Sequence, residues 1–181
     1  ARDGLNIPAF LTIPKGSTGK AMPMILFPHG GPFSADTWDY DPWVQFFASR
    51  GYVVLQPQFR GTTGFGRQGV ERGFGEFGGK MIDDMEDGID HLVKAGIVDP
   101  KRVCIAGGSY GGYAAMWAPA RSPERYRCAI SWAGISNVRD QLKFDRGLFG
   151  AKRYYRDWRD RVLGIDEKRG DMAAISPVRR A

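Results

Sequence analysis

Cysteine and histidine are scarce in this chain. Its two cysteines are Cys104 and Cys128 and its two histidines are His29 and His91, with no Cys-X-X-Cys motif and no Cys/His cluster. Because a zinc site needs several such ligands at close spacing, we expect no metal ion and no other cofactor. Both cysteines lie in strand-like apolar runs, which favours two buried free thiols over a disulfide.

Long hydrophobic runs are also missing. No apolar stretch approaches the roughly 18 residues that a membrane-spanning helix needs. Residues 1–10 lack the charged-then-apolar architecture of a secretory signal. The chain does not begin with methionine, so we expect its true N-terminus to lie upstream, and both a cytoplasmic and a periplasmic location stay open.

Short apolar runs alternate with helical patterns along the chain. Strands are predicted at 7–13 (an edge strand), 22–27, 52–57, 103–106 and 128–134, and helices at 42–51, 80–96 and 112–120. The glycine-rich residues 59–79 are predicted to form one long loop. In the helix at 80–96 the apolar residues share one side, whereas His91 and five acidic residues are predicted to be exposed: Asp83, Asp84, Glu86, Asp87 and Asp90.

Continuously apolar strands that alternate with helices indicate an α/β fold, with a mostly parallel sheet and helices on both faces. In such sheets, ligands bind beyond the carboxyl ends of the strands. The sequences PHGGP, FRGTTGFG and GGSYGG each follow a predicted strand. We therefore expect three glycine-rich loops to meet at one edge of the sheet.

The sequence Gly107-Gly108-Ser109-Tyr110-Gly111 matches the motif G-X-S-X-G at the end of a predicted strand. In this motif the serine occupies a sharp, strained strand-to-helix turn. Side chains on either side would collide with neighbouring elements, so glycine is required there. We predict Ser109 as a nucleophile, the backbone N–H of Tyr110 as an oxyanion donor and Gly108 as a residue that lines the site.

The sequence His29-Gly30-Gly31-Pro32 follows another predicted strand. An HGG loop at this place supplies the second oxyanion donor in α/β-hydrolases, and we assign that donor to the N–H of Gly31. His29 and Gly30 then line the site. His29 is predicted to brace the loop rather than to carry protons.

These motifs belong to a longer pattern, which resembles the catalytic domain of the prolyl oligopeptidase family of serine peptidases, in its acylaminoacyl-peptidase and dipeptidyl-aminopeptidase-like branch. The matching segments are ARDGLNIPAFLTIPKG, FPHGGP, QPQFRGTTGFGRQG, DDMEDGIDHLVKAGIVDPKRVCIAGGSYGGYAAMWA and ISPV. The resemblance implies an α/β-hydrolase fold, cleavage of short peptides through an acyl-enzyme on Ser109, and contact with an N-terminal propeller domain of a longer chain. It also places Arg60 and Gly61 in a loop that lines the site.

A base for Ser109 is missing from this pattern. In α/β-hydrolases an aspartate and then a histidine follow the nucleophile, yet no histidine follows Ser109. Asp166 and Asp171 lie in a predicted helix and turn rather than after a strand. We therefore expect residues 1–181 to be a partial catalytic domain whose last strands, Asp and His lie beyond its end, and which is marginally stable and nearly inactive alone.

Charge is unevenly distributed, with 11 Lys/Arg against 12 Asp/Glu in residues 1–120 and 15 against 8 in residues 121–181. Acidic residues interrupt the basic ones and no nucleic-acid motif accompanies them, so we expect no nucleic-acid partner. We interpret residues 135–170 as a basic, helical segment that covers an edge of the sheet and packs on its aromatic residues. Alternatively, part of it lines the substrate cleft and faces the propeller.

Two other functions stay open. A carboxylesterase-like hydrolase would use the same nucleophile, and a non-catalytic binding module would keep the fold without a working triad. Two G-X-G-X-X-G matches within residues 59–79 neither follow a strand directly nor open a βαβ helix, so we expect no dinucleotide.

Overall fold

The computed structural model describes residues 1–148, 152–164 and 171–180. Within these ranges five strands form one sheet in the order β1-β3-β2-β4-β5. Their bounds are β1 (Ala9–Thr12), β2 (Met22–Leu26), β3 (Val53–Pro57), β4 (Val98–Gly108) and β5 (Cys128–Trp132). β1 runs antiparallel to β3 and every other pair is parallel, which confirms the predicted mostly parallel sheet and its N-terminal edge strand.

The described helices are α1 (Pro42–Ser49), α2 (Gly66–Glu71), α3 (Lys80–Lys94), α4 (Tyr110–Arg121), α5 (Val138–Leu148) and α6 (Lys152–Leu163). Helix α2 was not predicted, because it lies inside the segment assigned to one long loop. It buries no residue and has no side-chain cap, so it leaves no periodic signal in the sequence. No helix in the described ranges combines the length and hydropathy that a bilayer crossing requires.

Strand β2 shows how the sheet separates two cores. Met22, Met24 and Leu26 belong to the core under α3 and α4, whereas Ile25 packs with Val44 of α1 on the opposite face. This follows from the alternation of side chains along a strand. The predicted covering of both faces by helices is confirmed.

Helix α3 buries the predicted apolar side and leaves His91 exposed. The expectation that all its acidic residues are exposed is wrong for Asp84 and Glu86, which are buried. Asp84 is buried because its carboxylate accepts hydrogen bonds from the backbone N–H and the guanidinium of Arg60. Burial raises the pKa of Glu86, an effect that Ser122 and Arg121 oppose.

The two cysteines form a disulfide, which corrects the expectation of two buried free thiols. Cys104 of β4 lies directly opposite Cys128 of β5 in the parallel ladder. Their Cα atoms are 4.8 Å apart, a separation that a disulfide can span. Cys128 is moreover exposed, like every residue of β5.

Most of the described part of residues 135–170 is helical, in α5 and α6, whereas residues 135–137 and 164 are not. Residues 149–151 and 165–170, with Phe149 and Asp166, lie outside the described residues. The expected covering of a sheet edge is not seen at β5, which stays exposed. Of the aromatic residues expected to pack, Tyr155 and Trp158 contact the core, whereas Phe144 and Tyr154 are 64% and 68% exposed.

Candidate active site

Ser109 occupies a sharp turn between β4 and α4. Its backbone has φ 55° and ψ −116°, a conformation that is costly for any residue with a β-carbon. The residue is exposed, and its hydroxyl makes no capping bond to α4. The predicted strained strand-to-helix turn is therefore confirmed, and it presents the hydroxyl to solvent.

The glycines around Ser109 are required by close backbone contacts. A β-carbon on Gly107 would lie 2.6 Å from the carbonyl carbon of Gly111. A β-carbon on Gly111 would overlap the carbonyl oxygen of Pro28, and one on Gly108 would overlap the indole of Trp132. Each lies far inside van der Waals contact, so the predicted need for glycine on both sides is confirmed.

Backbone hydrogen bonds hold the Ser109 turn from two directions. The N–H of Ser109 donates to the carbonyl of Trp132 at 3.1 Å, and its carbonyl accepts from the N–H of Tyr113 at 2.9 Å. Tyr110 opens α4, where backbone N–H groups have no intrahelical acceptor. The Tyr110 side chain is fully buried and its hydroxyl donates to the carbonyl of Phe77 at 2.6 Å, so only its backbone faces the turn.

The HGG loop lies directly beside this turn. A β-carbon on Gly30 would be 3.6 Å from both the Gly108 carbonyl oxygen and the Ser109 β-carbon. Gly31 has φ +121°, a conformation that favours glycine, and a cis peptide bond joins it to Pro32. Two of the three loops predicted to meet at this edge are thus adjacent through Gly30, and Gly31 is exposed.

His29 is buried and both of its ring nitrogens have partners. Nδ1 lies 2.7 Å from the carbonyl oxygen of Gly30, and Nε2 lies 3.0 Å from Oγ1 of Thr62. The ring stacks on Phe59 with 4.3 Å between centroids. Burial lowers the pKa of His29, which favours the neutral ring, while the contact with Gly30 opposes this shift. These contacts support the predicted bracing role.

Arg60 is held away from solvent by two carboxylates. Its Nε and Nη2 donate to Asp84 at 2.8 and 2.6 Å, and its Nη1 lies 2.9 Å from Asp3. The guanidinium is therefore engaged in a buried ion pair rather than free to contact a substrate. Gly61 packs closely, because a β-carbon there would lie 2.7 Å from Cε of Met81.

Several residues near the turn were not identified from the sequence. Phe33, which follows the HGG loop, contacts Phe74 at 5.6 Å and Trp158 of α6 at 6.0 Å between ring centroids. On the other side of Ser109, Trp132 stacks on Trp43 at 5.4 Å. A tryptophan at the end of a predicted strand was an available signal, but its neighbours depend on sheet order.

Neither histidine is available as a base for Ser109 in the described structure. His91 is exposed on α3, and the two ring nitrogens of His29 face Gly30 and Thr62. Within the described ranges no group of three or more His, Cys, Asp or Glu residues is arranged to hold a metal ion.

The chain is similar in sequence to a known protein family and to curated relatives. The family model described as the prolyl oligopeptidase family matches residues 38–181. Dipeptidyl aminopeptidase BIII of Pseudoxanthomonas mexicana is 39% identical over 149 residues, which cover 78% of this chain and 22% of that protein. Dipeptidyl peptidase family member 6 of Caenorhabditis elegans is 40% identical over 115 residues, or 64% of this chain and 16% of that protein.

Solved structures show the same fold. A puromycin hydrolase superposes with a TM-score of 0.84 at 26% identity, over 99% of this chain and 27% of the other. The acylaminoacyl peptidase of Pyrococcus horikoshii gives 0.81 at 26% identity, over 96% and 27%. The chain thus spans about a quarter of the length of these proteins and shares their α/β-hydrolase fold. With the strained serine, the adjacent HGG loop and a family match over most of its length, this chain belongs to the prolyl oligopeptidase family.

Proposed function

We propose that this chain supplies the nucleophile and the oxyanion hole of a serine peptidase. Ser109 is the nucleophile, and the N–H groups of Gly31 and Tyr110 are the oxyanion donors. The observation that carries this proposal is an exposed serine on a strained turn, with a glycine loop so near that a β-carbon on Gly30 would contact Ser109. Two fixed donors at such a place stabilise charge as it develops in the transition state.

In the proposed reaction the Ser109 oxygen attacks the carbonyl carbon of a peptide bond and loses its proton to a base. The carbonyl oxygen becomes an oxyanion between the two N–H groups. Collapse of this intermediate breaks the C–N bond as the base returns the proton to the amine. Water then hydrolyses the acyl-enzyme by the same route.

The base is proposed to be a histidine oriented by an aspartate, both from polypeptide outside these 181 residues. Without a base, an oxyanion hole and binding alone retain about 10³–10⁴-fold catalysis over water, which is several orders below a complete triad. We therefore propose that the 181-residue chain alone is nearly inactive. Since β5 has one sheet neighbour among the described residues and is exposed throughout, we also propose that the isolated chain is marginally stable.

The proposed substrates are short peptides. This follows the names of the relatives, which are dipeptidyl aminopeptidases and acylamino-acid-releasing enzymes. Trp158 lies beside Phe33, so α6 is proposed to form a wall of the substrate cleft. A propeller domain of the longer chain is proposed to contact the same edge of the sheet.

The test is labelling of the full-length protein with a fluorophosphonate probe. We expect one label on Ser109, lost in Ser109→Ala and kept in Ser136→Ala, which alters an exposed serine beyond β5. A folded full-length protein without label would support a binding module and contradict the proposal. Faster turnover of simple carboxylic esters than of aminoacyl and N-acyl-aminoacyl amides would favour a carboxylesterase.

A further inference from the structure

The orientation of one peptide plane decides whether the proposed oxyanion hole works. The unit that joins Gly30 to Gly31 is planar and trans, so the Gly30 carbonyl and the Gly31 N–H point in opposite directions within one plane. Any contact that fixes the direction of that carbonyl also fixes the direction of the N–H. Both residues lack side chains, so packing does little to resist rotation of the plane.

His29 supplies such a contact, because its Nδ1 lies 2.7 Å from the carbonyl oxygen of Gly30. We propose that His29 and Thr62 are positioning residues that aim the Gly31 N–H at the oxyanion. This inference rests on the proposed function, in which that N–H is an oxyanion donor. Neither residue needs to touch the substrate.

The role of Thr62 follows from the donor and acceptor roles of the two ring nitrogens of His29. A carbonyl only accepts, so Nδ1 of His29 must carry the proton for the contact with Gly30 to be a hydrogen bond. A neutral imidazole has one N–H, so Nε2 must then accept. The group that faces Nε2 at 3.0 Å is the Thr62 hydroxyl, which can donate. A Thr62 hydroxyl that donates to Nε2 selects the tautomer that the Gly30 contact requires.

The Thr62 hydroxyl also lies 2.6 Å from the carbonyl oxygen of Phe59, which is a closer acceptor than Nε2 of His29 at 3.0 Å. That oxygen already accepts the backbone N–H of Thr62 at 3.0 Å. If the hydroxyl donated to Phe59 instead, a neutral His29 would lose one of its two contacts. With the proton on Nε2 the bond to Gly30 is lost, and with the proton on Nδ1 the lone pair of Nε2 faces a lone pair of Oγ1. Donation to Nε2 keeps the Gly30 bond, although it leaves Oγ1 of Thr62 2.6 Å from the Phe59 carbonyl oxygen without a proton between them.

The support behind Thr62 is rigid. Phe59 and Thr62 are 0% and 2% exposed. The turn that carries them is fixed by Arg60, whose backbone N–H and guanidinium all donate to Asp84 of α3. A buried chain of contacts thus leads from α3 to the peptide plane of the proposed donor.

The experiment compares paired substitutions in the full-length protein. Thr62→Val and His29→Leu remove the proposed contacts. Thr62→Ser keeps a hydroxyl, and His29→Asn keeps an N–H donor close to the position of Nδ1. Thr63→Val and His91→Leu are matched controls, because both residues are exposed and belong to no part of this chain of contacts.

We expect Thr62→Val and His29→Leu to lower kcat about 10–100-fold with KM within about twofold, approaching the loss of one oxyanion donor. Affinity for a peptide aldehyde, which mimics the tetrahedral intermediate, should fall by the same factor. Thr62→Ser and His29→Asn should keep most of the wild-type kcat and most of the affinity for the aldehyde. The controls should match wild type in both quantities.

Three results would overturn the inference. An unlabelled Ser109 in the folded wild-type protein would remove the proposed function and this role with it. Normal labelling with unchanged kcat in Thr62→Val and His29→Leu would remove the positioning role alone. A loss of activity that follows the melting temperature, and that Thr62→Ser and His29→Asn do not reverse, would indicate general damage instead.

Discussion

Strands β4 and β5 are neighbours in one parallel ladder, yet their surroundings differ. β4 lies between β2 and β5, and its residues 103–107 are buried. β5 has β4 as its sheet neighbour and is exposed along its whole length. Both strands nevertheless hold the same turn, because Ser109 follows β4 and donates its N–H to the last residue of β5.

This difference divides the site into two sides. The β2 side consists of the HGG loop, the Arg60 turn and α3, all tied together by buried polar contacts. The β5 side consists of that strand, its disulfide to β4 and the Trp43–Trp132 stack. Buried contacts therefore determine the position of Ser109 and the HGG loop, whereas a lightly covered strand supports the turn from behind.

The largest effect is expected on the β2 side, from Asp84→Ala. The change leaves the buried guanidinium of Arg60 with Asp3 as its remaining carboxylate, and breaking a buried pair in this way costs about 3–5 kcal/mol. Urea denaturation measures this loss in the free energy of unfolding. Glu71→Ala is the control, because its pair with Arg67 is exposed and is worth about 0–1 kcal/mol. Equal, small losses from both changes would contradict the division into two sides.

Loss of the disulfide tests the β5 side. Replacing Cys104 and Cys128 with alanine should lower the free energy of unfolding by about 2–4 kcal/mol, mainly because the unfolded chain gains freedom. Hydrogen exchange should accelerate in β5 and stay slow in β2. A dithiol reductant should reproduce the loss in wild type and leave the double variant unchanged. Two freely alkylated thiols in the untreated native protein would contradict the disulfide.

The contact between the Ser109 turn and the HGG loop can be tested at Gly111, the second residue of α4. A β-carbon there overlaps the Pro28 carbonyl, so Gly111→Ala should destabilise the fold by about 1–3 kcal/mol or more and reduce fluorophosphonate labelling of the full-length protein. The control is Gly147→Ala in α5, where a β-carbon meets nothing within 4 Å and should stabilise by about 0.5–1 kcal/mol. Unchanged stability and unchanged labelling in Gly111→Ala would contradict the close approach of the Ser109 turn to the HGG loop.

The smallest effect concerns Asp36, in the loop after the HGG motif. Burial, and to a lesser degree Asp41, raises the pKa of Asp36 to about 6, and its Oδ2 has no hydrogen-bond partner among the described residues. Because folding raises this pKa, the carboxyl contributes stability that is fully present at pH values below its ordinary pKa of 3.8. This contribution is lost as the pH rises through about 6.

Asp36→Asn should therefore stabilise the protein by about 1 kcal/mol at pH 7.5, after allowance for the partial exposure of the group, and by less at pH 4.5. Melting temperatures at the two pH values measure the difference. Asp39→Asn, at an exposed position in the same loop, is the control. A benefit that is equal at both pH values would contradict the raised pKa.

Patterns local in sequence predicted most of the fold and the Ser109 turn. The G-X-S-X-G motif between a strand and a helix specified the turn, because the flanking glycines meet backbone atoms at close range. The apolar side of α3 was likewise predictable from its period. In each case the signal is a short motif or a strict repeat, although the contacts that require the glycines reach as far along the chain as Pro28 and Trp132.

The features that the sequence analysis predicted wrongly or missed depend on contacts between residues that are distant in the sequence. The disulfide depends on the register between β4 and β5, which no local pattern gives. Burial of Asp84 depends on Arg60, 24 residues away in the sequence, so α3 alone indicated a solvated acidic face. Thr62 was hidden in a glycine-rich segment, and its contact with His29 spans 33 residues. Long-range polar contacts leave no periodic trace in a single sequence.

The most direct test of the proposed site is a crystal structure of the full-length protein with a peptidyl phosphonate bound covalently. The phosphonyl oxygen marks the position of the oxyanion. We expect phosphorus bonded to the oxygen of Ser109, and the phosphonyl oxygen about 2.7–3.1 Å from the backbone nitrogens of Gly31 and Tyr110. A bond to another residue, or a phosphonyl oxygen directed away from both nitrogens, would contradict the proposed active site.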